Sequence, residues 1–429
     1  MLKYNVYYMF IKKIVLLISL TISTFLFADE AVNHMKIYGF IRNDFYFNSR
    51  VNTESTDGLF YLYPKPISVN LENVDVNAVP QAVMLSLNTR IGIDLKGTTV
   101  FSANSSAKIE TDFAGSGSMY FIIRIRHAYF KLNWEKTELM VGQTWHPLFG
   151  NVSPTVLECN TGAPFQPNNR SPQIRVIHNL NSSVSLIGAM AYESQYLSLG
   201  PNGASACYLK NAMIPDLFLG TEYKTTHWTS GASLDFKTIK PSIEEISSVT
   251  AAVYSQYTNR KFQLKAKSFL GENLTDQQML SGYGVSGVNP LNGEATYTNF
   301  NVISSWINAV YGKTWQVGAF VGLSQNLGTN KNLLANSDGK FTTYGNGIYD
   351  KSTLNPQLIN TDTGYYEKLM LDRLYRIASN ITYNLPNFNV GIEYDFTSAN
   401  YGTLQNNGHV ANPYNISNHR VIATVSYFF

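Results

Sequence analysis

The sequence has little charge. Asp, Glu, Lys and Arg make up 14% of its 429 residues, against about 25% in soluble globular domains, while 13% of the residues are aromatic. This combination disfavours a cytosolic globular protein. A net positive charge is also lacking, because the formal +3 comes from three lysines in residues 1–28 and the remaining chain has as many acids as bases. A nucleic-acid partner would need a basic surface, so the composition argues against one.

Long apolar runs are absent after residue 28. Residues 1–28 carry Lys3, Lys12 and Lys13 ahead of an apolar stretch that ends at Ala28. This pattern predicts a cleaved signal peptide, with an N-terminal membrane anchor as the alternative. Residues 29–35 would then form a short periplasmic segment. Because no later segment is long enough for a membrane helix, a membrane-inserted chain would have to cross as a closed β-barrel.

Apolar and polar residues alternate strongly along the chain. From Val83 to Lys96 the odd positions are apolar apart from Thr89, while the even positions include Ser, Asn, Arg, Asp and Lys. A period of two predicts strands with one polar and one apolar face. Sixteen strands are predicted, near residues 36–48, 83–96, 103–113, 120–133, 137–147, 172–179, 184–194, 217–224, 228–239, 246–257, 261–272, 300–313, 315–326, 369–383, 388–398 and 417–429.

The predicted connections fall into two classes. Short turns alternate with long segments rich in Gly, Asn, Ser, Thr and Pro. The long segments are 49–82, 148–171, 195–216, 273–299, 327–368 and 399–416. We therefore predict an all-β fold over residues 36–429, a transmembrane antiparallel barrel of about 16 strands with short periplasmic turns and long external loops. The loop at about 148–171 is expected to fold into the lumen.

The aromatic residues support a membrane barrel. The last strand ends on Phe429, with Val425 and Tyr427 on the same face, as in the C-terminal strand of outer-membrane barrels. A buried strand of a soluble sandwich is the alternative. Aromatics near strand ends suit the interfacial girdles of a barrel. The candidates are Phe45, Phe47, Tyr129, Trp145, Trp228, Trp315 and Tyr427.

Five motifs, in this order, resemble the DcaP-like trimeric outer-membrane porin family. They are KIYGFIRNDFYF (36–47), RIRHAYFKL (124–132), GQTWHPLF (142–149), NTGAPFQPNNRSPQIRV (160–176) and EYDFTSANYG (393–402). The resemblance implies a trimeric, solute-conducting barrel in the outer membrane of a Gram-negative cell. Well-known members carry a helical coiled-coil segment before the barrel. Here only residues 29–35 are expected there, so the trimer would depend on barrel contacts alone.

Charged residues at polar strand positions are expected to line the pore. The predicted set is Arg42, Asp44, Arg90, Arg124, Arg126, Arg170, Arg175, Lys265, Lys267, Arg376 and Glu393. Arginine binds carboxylates through two parallel donors, and rings of basic residues favour anions. The hypothesis is passive diffusion of small hydrophilic solutes with a preference for anions such as carboxylates, which the resemblance also implies. In the alternative, the arginines pair with acids across the wall and only maintain the barrel.

The sequence contains no hydrolase, metalloprotease, P-loop or EF-hand motif. Hence no enzyme, metal site or cofactor is expected. A barrel lipase using His146 or His178 and a substrate-specific gated transporter are the alternative functions. The expected partners are outer-membrane lipid and lipopolysaccharide, small anionic solutes and further copies of the chain.

Three further residues carry predictions. Cys159 and Cys207 both fall in predicted external loops, and two cysteines in an exported chain usually pair. Free thiols are the alternative. His127 occupies a lipid-facing position of its strand, which predicts either a β-bulge or a contact between protomers there.

Overall fold

The computed structural model forms a closed antiparallel β-barrel. Sixteen wall strands pair with their neighbours in chain order, and the first strand also pairs with the last. Among the described residues, no helix is long and apolar enough to cross a membrane. The described residues are 34–55, 58–114, 123–157, 162–337, 339–350 and 368–429. The predicted signal peptide and Cys159 lie outside them.

The wall strands are numbered β1 to β16 in chain order. Their bounds are β1 Met35–Asn48, β2 Gln81–Leu85 with Arg90–Val100, β3 Ala103–Asp112, β4 Arg124–Asn133, β5 Thr137–Trp145, β6 Arg170–Asn179, β7 Val184–Ala191, β8 Asp216–Lys224, β9 Trp228–Ile239, β10 Ile246–Thr258, β11 Phe262–Glu272, β12 Ala295–Gly312, β13 Trp315–Thr329, β14 Lys368–Asn384, β15 Phe388–Leu404 and β16 Val410–Phe428. The two pieces of β2 both pair with β1, so they form one interrupted strand.

Short turns of two to four residues join the strands at one end of the barrel, the turn side. Eight connections, named L1 to L8, lie at the loop side. They are L1 49–80, L2 113–123, L3 146–169, L4 192–215, L5 240–245, L6 273–294, L7 330–367 and L8 405–409.

The loops contain short elements of their own. L1 holds strands Asn52–Ser55 and Phe60–Pro64; L3 holds the 3-10 helix Pro147–Phe149; L4 holds strands Leu199–Gly200 and Gly203–Ala204 and helix α1 Cys207–Ala212; L6 holds the 3-10 helix Thr275–Gln277 and strand Ser281–Val288; and L7 holds strands Thr343–Asn346 and Ile348–Asp350.

The number and order of the predicted strands are confirmed, but one predicted loop is wrong. Residues 399–416 form most of a hairpin, in which β15 reaches Leu404 and β16 begins at Val410. The Asn, Gly and Pro residues of this segment suggested a loop. Ladder hydrogen bonds between β15 and β16 keep the backbone extended, however, and leave only a short turn.

The outer surface of the barrel is apolar. Alternate wall residues such as Ile41, Ile91, Leu219 and Ile307 are exposed, while the positions between them point inward and are largely polar. So large a continuous apolar surface would be unfavourable in water. This apolar belt is therefore the face that lipid covers.

A β-bulge changes which residues of β4 face the lumen. Thr111 pairs with Ile125 and Glu110 pairs with His127, so the register shifts by one residue. Arg126 and His127 therefore both turn inward, and the His127 Nδ1 lies 2.9 Å from the Thr144 hydroxyl. The bulge accounts for His127 without a protomer contact.

The same bulge corrects the prediction of aromatic girdles. Tyr129 pairs in register with the inward-facing Lys108 and so points into the lumen. Trp145 also points inward, where it stacks on Phe149 of L3 with ring centroids 4.1 Å apart. The remaining candidates are exposed on the outside, namely Phe45, Phe47, Trp228, Trp315 and Tyr427.

Candidate pore constriction

Loop L3 crosses the interior of the barrel. It leaves the wall at His146, and its backbone is bonded by side chains from distant strands. The Thr155 N–H donates to the Asn308 side-chain oxygen on β12 at 2.8 Å. The Leu157 N–H donates to the Glu393 carboxylate on β15 at 2.7 Å. Glu393, a predicted pore residue, therefore binds the loop backbone.

Two predicted pore lysines on β11 also hold L3. Lys265 donates to the Ser153 carbonyl at 3.1 Å and to the Thr155 hydroxyl at 2.6 Å. Lys267 donates to the Phe149 carbonyl. Within the described ranges neither lysine forms an ion pair with a carboxylate, so both hold the loop through these hydrogen bonds.

Arg376 on β14 connects two loops. Its guanidinium donates to the Ala163 carbonyl of L3 and the Leu62 carbonyl of L1, both at 2.8 Å. It also lies 4.2 Å from the centre of the Tyr61 ring. Lys265, Lys267 and Arg376 are called the loop anchors below. All three are more than nine-tenths buried.

The basic residues of β1 to β4 have different partners. Arg124 donates to both oxygens of Asp112, at 2.9 and 2.6 Å. Arg126 donates to Glu110 at 2.7 Å and to Asp112 at 2.8 Å. This bidentate network fixes the planar guanidinium groups against the wall.

Arg42 and Arg90 extend this group along the wall. Arg42 donates to Asp44 at 2.8 Å and to the Leu157 carbonyl of L3 at 2.9 Å. Arg90 pairs in register with Asp112 and lies 5.1 Å from the centre of the Phe40 ring. Arg42, Arg90, Arg124 and Arg126 are called the arginine wall below.

Two guanidinium groups of the arginine wall are more exposed than the carboxylates that bind them. The Arg42 side chain is 17% exposed and Asp44 1%, while Arg124 is 14% exposed and Asp112 0%. Arg126 is the exception, at 4% against 11% for Glu110. For these two outer pairs, the lumen therefore meets the cation first.

Arg170 and Arg175 on β6 have no carboxylate within ion-pair distance among the described residues. The Arg170 guanidinium lies 3.7 Å from the centre of the Trp145 ring and donates to Gln195 at 2.9 Å. Arg175 borders a cavity of about 180 Å³ next to Lys131 and Glu138, towards the turn side.

The described part of L3 is fastened to only part of the wall. Its hydrogen bonds reach β1, β8, β11, β12, β14 and β15, and none of them reaches β2, β3 or β4. Arg90, Arg124 and Arg126 thus lie on strands that the described part of L3 does not reach through hydrogen bonds. Residues 146–169 contain one acid, Glu158, which lies outside the described residues, and no Lys or Arg.

Comparison with known proteins identifies the architecture. No family model and no curated protein sequence matches the chain. Solved structures do: the outer membrane channel DcaP of Acinetobacter baumannii superposes with a TM-score of 0.65 at 16% identity, covering 92% of this chain and 97% of that chain. This chain has the porin fold. The family resemblance in the five motifs is thereby confirmed at the level of the fold.

Two further outer-membrane proteins share the porin fold. An anion-selective porin from Comamonas acidovorans matches with a TM-score of 0.52 and 9% identity, covering 92% of this chain and 99% of that chain. OmpT of Vibrio cholerae in its trimer form matches with a TM-score of 0.50 and 9% identity over the same shares.

Part of L1 lies inside the barrel and was not among the residues predicted from the sequence to line the pore. Residues 59–63 of L1 fold into the loop-side mouth and are between 1 and 4% exposed. The Tyr401 hydroxyl donates to the Pro64 carbonyl at 2.8 Å and holds this hairpin from β15. The segment LFYLYP (59–64) is too aromatic for a solvated loop, so its composition could have indicated that it is buried.

The remaining sequence-based candidates are the two cysteines and two histidines. Cys207 is exposed in α1, but Cys159 lies outside the described residues, so their pairing stays a prediction. His146 is buried at the loop side, whereas His178 is near the turn side, 2.9 Å from the Thr137 hydroxyl. These two histidines cannot serve one catalytic site.

Proposed function

We propose that the protein is an outer-membrane porin through which small hydrophilic solutes diffuse passively, with a preference for anions such as carboxylates. The observation that carries this proposal is the arginine wall, most of which lies where the described part of L3 forms no hydrogen bond with the barrel. Its four arginines are accompanied by three carboxylates, those of Asp44, Glu110 and Asp112.

Charge balance and geometry both favour anions at this place. Among the described residues, the four guanidinium groups lie beside three carboxylates, and Arg170 on β6, two strands from β4, has no acidic partner there. A permeating carboxylate can accept hydrogen bonds from the exposed edges of Arg42 and Arg124. A low-dielectric wall strengthens this attraction, and a lining of one sign raises the local concentration of counter-ions.

The proposed setting is a homotrimer in the outer membrane, in contact with lipid and lipopolysaccharide. The apolar belt supports a lipid environment, and a solved protein of the same fold occurs in a trimer form. In this orientation the turn side faces the periplasm and L1 to L8 face the outside.

Liposome swelling tests the proposal. Purified protein in liposomes is exposed to a neutral sugar, a sugar acid and an amino sugar of similar size. We expect the sugar acid to enter fastest and the amino sugar slowest. Faster entry of the amino sugar would contradict the anion preference, and equal impermeability of all three would contradict the porin function.

A further inference from the structure

A buried cluster of possible metal ligands lies where L3 leaves the wall. His146 is the first residue of L3, Asp216 begins β8, and Asp235 lies near the loop-side end of β9. They are 2%, 3% and 5% exposed, respectively. One ligand atom from each residue can be chosen so that all three atoms lie within 4.8 Å of one another.

Each of these residues has an unsatisfied buried polar atom. The His146 Nε2, the Asp216 Oδ1 and the Asp235 Oδ1 have no hydrogen-bond partner among the described residues. The His146 Nε2 does lie 3.2 Å from the other Asp216 oxygen, in a geometry that is not a hydrogen bond. Buried polar atoms in folded proteins are nearly always satisfied. Each of these three adjacent side chains keeps one unsatisfied atom, and one ligand atom of each lies within 4.8 Å of the other two, so the cluster offers donors to a ligand.

The surroundings of the cluster are rich in acids. Lys237 is engaged by Asp276 through a short ion pair and by the Asn273 carbonyl. Nearby in L4, burial and the adjacent Asp276 raise the pKa of Glu193 to about 7. Four carboxyl groups thus share this pocket with one lysine and one histidine.

We propose that His146, Asp216 and Asp235 form a binding site for a divalent transition cation of the Zn²⁺ class. One imidazole nitrogen and two carboxylate oxygens are donors that Zn²⁺ accepts, and a water molecule would complete a tetrahedral set. All-oxygen sites are typical of Mg²⁺ and Ca²⁺, so the imidazole favours the transition metal.

Binding requires a defined change at the histidine. The His146 Nδ1 accepts the Leu148 N–H at 3.3 Å, so the neutral ring carries its proton on Nε2. When the metal takes the Nε2 lone pair, this proton moves to Nδ1 and the long bond from Leu148 is lost. The cation then joins the first residue of L3 to β8 and β9 and fixes the direction in which the loop enters the lumen.

Isothermal titration calorimetry of the full-length protein in detergent, after chelator treatment, tests the site with Zn²⁺ alone. We expect one Zn²⁺ per chain in the wild type. In His146→Gln and Asp235→Asn the affinity should fall by more than the roughly tenfold loss that removal of an outer-shell partner causes. His178→Gln, which removes an exposed histidine at the opposite end of the barrel, should bind like the wild type.

Each outcome either supports or overturns the metal site. Heat-modifiable migration on gels establishes that each variant is folded, and if one variant fails to fold the other decides. Loss of the bound Zn²⁺ in a folded His146 or Asp235 variant supports the site. Binding that is absent in the wild type, unchanged in both variants or lost only in His178→Gln would overturn it, and a shared proton would then be the link between the two carboxylates.

Discussion

Arg124 and Arg126 on β4 bind carboxylates, whereas Lys267 on β11 and Arg376 on β14 bind the backbone of loops; Arg42 on β1 does both. Arg124 and Arg126 lie against Asp112 and Glu110, while Lys267 and Arg376 donate to carbonyls of L3. Both groups face the interior of the barrel. Inward-facing cations in this barrel thus fall into those held against the wall by acids and those that hold a loop, and in the proposed function the first group sets the charge of the passage.

Removing two charges from the arginine wall should have the largest effect. In Arg124→Ala with Arg126→Ala, Asp112 and Glu110 lose their main partners. Each charge acts on a passing ion with about 1 kcal/mol at 4 Å in water. Removing two charges therefore costs about 2 kcal/mol, and the anion-to-cation permeability ratio should fall by more than about tenfold. Reversal potentials in bilayers measure this ratio.

The matched control for the arginine wall is Arg260→Ala with Arg373→Ala. Both residues are exposed, and neither belongs to the wall or to the anchors. The control should keep the wild-type ratio. Unchanged selectivity in the Arg124 and Arg126 double variant would show that these ion pairs only maintain the barrel.

Replacing the anchor that joins two loops should have the next largest effect. Arg376→Met removes the bonds to Leu62 and Ala163, and hydrogen bonds to charged groups contribute about 1.5–3 kcal/mol each. Backbone hydrogen exchange should become faster in residues 60–64 and 162–165 together, while selectivity changes less than in the wall variant. A selectivity change as large as in the Arg124 and Arg126 double variant would contradict separate roles for the arginine wall and the loop anchors.

Replacing a single-loop anchor should have a smaller and more local effect. Lys267→Met removes the bond to the Phe149 carbonyl but fills similar space between Tyr254 and Phe269. Exchange should quicken in residues 147–157 of L3 and stay unchanged in L1. Lys224→Met, at an exposed position on the turn side, is the control, and faster exchange in L1 would contradict separate anchoring.

The smallest predicted effect is a pH dependence in L4, where an acid lacks the cations that the arginine wall supplies. Burial raises the pKa of Glu193 from 4.5 to about 7. Glu193 therefore keeps its proton to a higher pH in the folded loop than in the locally unfolded loop. The stability of L4 is consequently highest below pH 4.5 and falls as the pH rises through 7.

Hydrogen exchange of residues 192–200, corrected for the intrinsic effect of pH, checks this dependence. Exchange in the wild type should be faster at pH 8 than at pH 5. Glu193→Gln cannot ionise and should remove the difference, whereas a difference of the same size in that variant would exclude Glu193 as the cause.

The alternation of the sequence was sufficient to predict the barrel, because a period of two records which face of each strand meets lipid. Arg42 and Lys265, two of the predicted pore residues, face inward in the structure. The lipid-facing position of His127 predicted either a β-bulge or a protomer contact, but the alternation could not decide between them or show that the residues after the bulge change face. Tyr129 was consequently placed on the wrong face.

The sequence predicts which side chains point into the lumen better than it predicts the groups that they bind there. Whether an inward cation meets Asp112 or the carbonyl of Phe149 depends on the path of L3, and that path depends on contacts with strands more than 100 residues away. The cluster of His146, Asp216 and Asp235 was missed for the same reason, because its members are widely separated in the sequence.

The central claim is that the arginine wall makes the passage prefer anions. The most direct measurement is the reversal potential of the purified wild-type protein in a planar bilayer under a potassium chloride gradient. The account predicts a potential of the sign that chloride-selective conduction produces. A potential of the potassium-selective sign would contradict it.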